Sequence, residues 1–273
     1  MSSDRTTSRA LFESLIDDAA LFPPAKDPMD VALPGHVERR TSPHGWMLGR
    51  FLVAGTRLED LRETLARDVS MDLGLILAAP ADLDVLNVVD DDRRLSLAGI
   101  ELGPKFGDST SLAVDPSIPT YREIDRSGDL DDQLDQVSTD GVGAKLRTGG
   151  LEAGAFPSVD ELASFITGCV ARDLGFKCTA GLHNAIAHTD EATGFEHHGF
   201  LNILCATHAA LDGEDPSQAL TDRVGAGLIK TVSAITPADA TAIRECFHGY
   251  GSCVFSEPVD DLVGLGLIEG SSR

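Results

Sequence analysis

Lysine is scarce in this chain. Five stand among 273 residues (Lys26, Lys105, Lys145, Lys177 and Lys230) against 44 aspartates and glutamates, and the formal net charge is −22. A surface this acidic repels nucleic acid and anionic membrane, so neither is expected as a partner. The composition fits a surface adapted to high salt, and the coding bias of a GC-rich genome fits it as well. Long apolar runs are missing too: stretches such as residues 73–79 fall far short of a membrane span. The first twenty residues hold no extended apolar core and no small-residue cleavage site, which reads as mature cytoplasmic sequence. The five cysteines (Cys169, Cys178, Cys205, Cys246, Cys253) form no C-x-x-C pair and lie in apolar segments. They are expected to be buried free thiols in a reducing compartment. No G-x-G-x-x-G follows the early strands, and no H-x-H or H-E-x-x-H occurs, so no dinucleotide, metal or other cofactor is expected.

What is present is an ordinary globular balance, 42% apolar and 24% charged, in a chain long enough for one large core. A strand–helix rhythm runs along it. Strands are expected near Asp18–Phe22, Arg50–Val53, Asp72–Ala79, Leu97–Gly103, Ile118–Ile124, Val142–Leu146, Phe176–Thr179 and Ser252–Phe255. Helix starts are marked by Thr56-Arg-Leu-Glu59 and Ser158-Val-Asp-Glu161, which read as capping boxes, and by Thr236-Pro-Ala-Asp239. Pro23-Pro24 stops the first unit, and a short helix fits near Pro28–Leu33. About eight strands alternating with helices predict an α/β fold, a single-domain (β/α)8 TIM-type barrel with loop insertions, ahead of an open doubly wound sheet. Residues 184–235 read as a loop and helical insertion covering the site.

In such a barrel the chemistry sits where strands end. The strand ends deliver Asp17 and Asp18, Glu101, Glu123, Lys145 with Arg147, Lys177 with Thr179, and Ser252. Two lysines at matching places in consecutive units of a lysine-poor chain point to use. A like charge nearby and partial desolvation lower a lysine's pKa, and a neutral lysine amine can form a Schiff base with a carbonyl. Carboxylates beside it can move the protons. The turns Thr148-Gly149-Gly150, Thr179-Ala180-Gly181 and Gly249-Tyr-Gly251-Ser252 offer backbone N–H groups to an anion, with Arg147 as a further handle. Among the histidines at 183, 188, 197 and 198, His183 is the best acid–base candidate. His208 reads as a core histidine on an apolar helix face, and Asn202 as structural.

The order of these residues resembles the class I, Schiff-base aldolases of the deoxyribose-phosphate type. Ile16-Asp17 with Leu21-Phe22-Pro23, Glu101, Lys145, Lys177 and Gly251-Ser252 follow that family's sequence of strand-end groups. The resemblance implies Lys145 as the Schiff-base lysine, Lys177 as its partner cation, and a phosphate turn at Gly251-Ser252. The departures are Leu-Arg-Thr-Gly-Gly after Lys145 where the family has Thr-Ser-Thr-Gly, and Glu101 where it has aspartate. The chain also resembles a poorly characterised group of bacterial and plant proteins with K-L-R-T-G-G, F-K-x-T-A-G-L-H and H-G-F-L-N signatures, a group that names no reaction.

These readings predict a lyase or aldolase acting on a small anionic carbonyl compound such as a sugar phosphate. Lys145 would form the Schiff base and Lys177 would depress its pKa. Glu101, Asp17 and His183 would move protons. Arg147, Gly149, Gly150, Thr179, Gly181, Gly251, Ser252 and Glu123 would hold substrate. A non-covalent enolising enzyme, with or without a divalent metal on Asp17, Glu101 and Glu123, and a non-enzymatic anion-binding barrel are the alternatives.

Overall fold

The computed structural model describes residues 2–106 and 115–270. Eight parallel strands close into a barrel: β1 (Ile16–Asp18), β2 (Leu48–Ala54), β3 (Met71–Leu77), β4 (Leu95–Leu102), β5 (Thr120–Glu123), β6 (Gly143–Arg147), β7 (Phe176–Thr179) and β8 (Phe247–Ser252), with β8 pairing back onto β1. The expected (β/α)8 barrel is the fold. A separate antiparallel pair, His188–Thr189 with Glu196–His197, lies in the loop after β7.

The alternation of side chains along each strand explains how the barrel is filled. In β6, Ala144 and Leu146 are buried against the helical shell while Lys145 and Arg147 point inward; in β7, Phe176 and Cys178 face the shell and Lys177 and Thr179 face the interior. Contacts across non-adjacent strands fix this assignment, because Lys145 on β6 reaches Glu101 on β4 and Lys177 on β7 reaches Asp17 on β1. The apolar core therefore lies outside the strands, under the helices. It forms two clusters, one around Phe165, Phe176, Phe200 and Phe247 and one around Phe51, Leu73, Leu75 and Ile100. At the lower end of the interior Gly99 leaves room for Arg50: a Cβ there would stand 2.9 Å from its guanidinium.

Three sequence expectations are corrected. The first strand is Ile16–Asp18, not Asp18–Phe22, because the chain turns at once after Asp18, whose carboxylate accepts from the Ala20 N–H. The last strand is Phe247–Ser252, not Ser252–Phe255; its two large residues, Phe247 and Tyr250, are separated by His248 and Gly249, which hid it. Thr56 does not cap a helix. It sits in a 3-10 turn, and the helix Leu58–Thr64 begins without a side-chain cap. By contrast, Ser158 and Thr236 each accept from the N–H three residues on, and Glu161 and Asp239 reciprocate. The predicted short helix near residue 28 is a longer one, Met29–Arg40, that accommodates Pro34.

Within 184–235 the chain forms the short hairpin and then helices Phe200–Leu211, Ser217–Thr221 and Ala226–Ala234. Asn202 on the first of these is fully buried and structural, accepting from Ala187 N–H and donating to the carbonyls of Ala219 and Asp222. His208 is not a core residue: it is partly exposed beside Asp212.

β8 depends on a glycine at 249, where φ is +144° and a Cβ would stand 2.5 Å from the Leu15 carbonyl oxygen. Gly249→Ala should therefore destabilise the protein by more than ~1 kcal/mol. Gly154→Ala, where a Cβ meets nothing within 4 Å, should stay within about 0.5 kcal/mol of wild type. Urea unfolding midpoints of the two variants check this.

Candidate active site

Inside the barrel, charged side chains climb from the lower end to the mouth with alternating sign. The Arg50 guanidinium lies 3.8 Å from Asp17 Oδ2, and its backbone N–H donates to Asp17 Oδ1 at 2.7 Å. Lys177 Nζ donates to Asp17 Oδ2 at 2.5 Å and to Glu101 Oε1 at 2.6 Å. Glu101 Oε2 accepts from Lys145 Nζ at 3.2 Å, and Lys145 Nζ pairs with Glu123 Oε2 at 2.9 Å. Glu123 Oε1 accepts from Arg147 Nε at 3.3 Å. Beneath the ladder, Tyr121 donates to His248 Nδ1 at 2.7 Å, since His248 Nε2 must carry its proton to bond the Glu245 carbonyl.

Strand register explains the order. Glu123, Lys145, Lys177 and Gly249 are successive partners across β5 to β8, and Arg147, Thr179, Gly251 and Asp17 are successive partners across β6, β7, β8 and β1. Barrel strands are tilted from the axis, so a line of register partners runs diagonally. Both lines start at the mouth and end in the interior. Glu123 and Arg147 line the opening, Lys145 lies at its floor, and Lys177 and Asp17 are buried below.

The opening is a cavity of about 590 Å³ at the C-terminal ends of the strands. Its floor and rim carry Lys145, Glu123, Arg147, Thr179, Gly181 and Gly251. Its walls include Phe22, Phe156, Phe195 and His197, with Phe156 and His197 in ring contact at 4.5 Å. The hairpin after β7, not the helices that follow it, supplies Asp190, Thr193, Phe195 and His197 to this wall. A wider cavity of about 820 Å³ opens at the other end, among the turns that enter the strands. That end of such barrels serves stability, and its lining holds no lysine.

The electrostatics separate the two lysines. Burial disfavours the Lys177 cation, but Asp17 and then Glu101 outweigh it and hold its pKa above the ordinary lysine value. Lys177 is thus held as a cation. Glu101 pays the same burial penalty and is pulled down to about 2 by Lys177 and Lys145. A carboxylate that acidic is a poor proton acceptor near neutrality, and Asp17 lies below the lysines without lining the cavity. The carboxylate beside Lys145 that does face the cavity is Glu123.

Arg147 is half-exposed at the rim, and among the described residues Glu123 is its one ionic partner. Gly149 and Gly181 pack two loops together: a Cβ at Gly181 would stand 2.7 Å from the Thr148 carbonyl oxygen and 2.9 Å from Gly149 Cα. Gly150 lines the cavity and Gly149 does not. Ser252 is corrected as a substrate group, because it lies within β8, is buried, and bonds the Val254 carbonyl. Asp18 faces the shell, bonded to His36 and Arg39. His183 lines the cavity, while His198 is buried and donates to the Pro157 carbonyl. His188 stands beside His197, ring centroids 5.1 Å apart. Among the described residues no group of three or more His, Cys, Asp or Glu is arranged to hold a metal ion, and no helix is long and apolar enough to cross a membrane. Sequence reading missed Arg50, Tyr121 and His248 as interior groups, and Phe156, Phe195, Cys253 and Glu257 near the cavity. The one available signal was Arg50, a charge set into the apolar strand LGRFLVA.

Comparison of the chain with protein-family models, with curated proteins and with solved structures finds no match. The fold places the protein in a class that commonly carries enzymes, with their sites at this end of the barrel.

Removing one partner of a buried ion network leaves the others uncompensated. Lys177→Met should destabilise the protein by roughly 3–5 kcal/mol, measured by chemical unfolding at neutral pH. The pH dependence has a definite sign. Glu101 titrates at about 2 when folded against an ordinary 4.5, so its contribution is full above pH 4.5 and is lost as pH falls towards 2. The stability gap between wild type and Glu101→Gln should therefore close over that window.

Proposed function

We propose that the protein is a lyase of the Schiff-base aldolase type, acting on a small carbonyl compound with an anionic end. The observation that carries this reading is the placement of Lys145: one lysine amine at the floor of the cavity, between Glu101 and Glu123, with a second and permanently charged lysine on the far side of Glu101. In this reading Lys145 passes a proton to Glu123, and the neutral amine adds to the substrate carbonyl carbon. The carbinolamine oxygen takes back the proton held by Glu123 and leaves as water, which returns Glu123 to its carboxylate. The resulting iminium replaces the ammonium as the cation between the two carboxylates, and it draws electrons from the adjacent bond. Lys177 keeps Glu101 ionised, so that carboxylate stabilises the iminium without competing for protons.

Arg147 is the anion handle in this scheme, because it reaches the rim with Glu123 as its ionic partner. Ser252 drops out of the substrate site, since it is buried and bonds the Val254 carbonyl, while Gly251 beside it lines the cavity. The aromatic wall formed by Phe22, Phe156 and Phe195 supports a substrate with an apolar portion beyond its carbonyl.

One observation favours a second reading. Held between two carboxylates, a Lys145 that stays an ammonium can donate to an enolate oxygen while Glu123 acts as base, with no covalent step. Borohydride reduction separates the two. With a panel of aldehydes and ketones, peptide mapping should find the reduced adduct on Lys145, and Lys145→Leu should abolish it. Glu123→Gln should slow adduct formation on the order of 10²-fold. Turnover without any trapped adduct would favour the enolising enzyme instead.

A further inference from the structure

A second set of reactive side chains lines the same cavity. Thr179 and Gly251 are register partners, so the segments leaving β7 and β8 run side by side at the rim. The first carries His183 and the second Cys253, and both face the cavity. Cys253 Sγ lies 3.7 Å from His183 Nε2, within reach of a hydrogen bond to sulfur. His183 Nδ1 lies 2.7 Å from Glu257 Oε2, in the first turn of the helix Ser256–Gly264.

The proton positions follow from the partners. An ionised carboxylate only accepts, so Nδ1 carries the hydrogen that bonds Glu257. In the neutral ring Nε2 then presents its lone pair to the thiol. This is the nucleophile, base and orienting group of covalent catalysis, in that order. The hydrogen bond with Cys253 outweighs the burial of His183 and, with Glu257 beyond it, raises the imidazole above its ordinary value. An imidazolium formed by proton transfer from the thiol is supported accordingly. The other four thiols lack this setting. Burial pushes Cys205 and Cys246 up to about 12, and holds Cys169 and Cys178 well above the ordinary thiol value.

We propose that Cys253 is a second nucleophile of the cavity, with His183 as its base and Glu257 as the residue that positions His183, and that it accepts the acyl group of a small ester or thioester. The assignment is independent of covalent chemistry at Lys145. The thiol proton moves to His183 Nε2 as sulfur bonds to the acyl carbon. The bond from that carbon to the donor's oxygen or sulfur breaks, and the leaving group takes the proton from His183. Water then gives a proton to His183 as its oxygen adds to the thioester carbon. The C–S bond breaks, the sulfur recovers the proton, and a carboxylic acid is released.

The test uses the full chain and p-nitrophenyl acetate. Wild type should release a burst of p-nitrophenolate and carry acetyl on the peptide containing Cys253. Cys253→Ala should remove the burst, with Cys253→Ser as the substitute if the alanine variant melts early. His183→Gln should slow acetylation on the order of 10²-fold or more. Glu257→Ala should slow it as well, and Glu257→Asp should restore much of the rate, as orientation through a carboxylate requires. Acetyl found on Lys145 or spread over several cysteines, a burst that survives Cys253→Ala, or an unchanged rate in His183→Gln would each overturn the proposal.

Discussion

The ladder of alternating charge inside the barrel is the constraint on which the rest of the structure depends. Arg50, Asp17, Lys177, Glu101, Lys145, Glu123 and Arg147 follow one another in sign and in space. Six of the eight barrel strands contribute to it, all but β3 and β8. A buried ion is tolerated only when its neighbours compensate it, so each member requires the next. Slipping one strand by a single residue would turn its inward charge into the apolar shell and leave a partner alone. The ladder is therefore a device for register as much as for chemistry, and the apolar shell that surrounds the strands supplies the bulk of the burial.

The diagonal course of the register lines turns this device into a site. Lys145 and Lys177 are direct partners on neighbouring strands, and in an untilted sheet they would be equivalent. Tilt places one at the cavity floor and the other below it, sealed by Asp17 and Glu101. The same geometry divides the carboxylates. Glu101 lies between both amines and is held ionised, whereas Glu123, one strand nearer the mouth, meets the cavity. Depth in the barrel, more than residue type, decides which group can react and which one only sets the field.

The same geometry explains how much of the fold and site is legible in the sequence. The barrel was legible because β6 and β7 alternate cleanly, GAKLR and FKCT, and because capping boxes at Ser158 and Thr236 mark where helices begin. That Lys145, Lys177, Glu101 and Asp17 meet was legible from their common place near strand ends. Their division of labour was not, since it rests on tilt and on contacts across the barrel between strands distant in sequence. β8 escaped because FHGYGS lacks an apolar run; its glycines admit the close approach of Leu15 and leave space beside Leu52. Cys253 and Glu257 escaped for a related reason. Nothing local in Ser-Cys-Val-Phe-Ser-Glu signals that His183, seventy residues earlier, leaves the adjacent strand.

The two nucleophile candidates also differ in how the fold can sustain them. Lys145 is embedded in a buried ion network, and in the proposed reading its proton leaves towards the cavity-facing Glu123. Cys253 and His183 stand at the rim on loop residues, outside the ladder, and Glu257 is half-exposed to solvent. Changes there disturb no buried charge. A barrel built in this way can vary the chemistry at its rim while the ladder keeps the register of its strands, because the two sets of residues share a cavity but no contact that holds the fold.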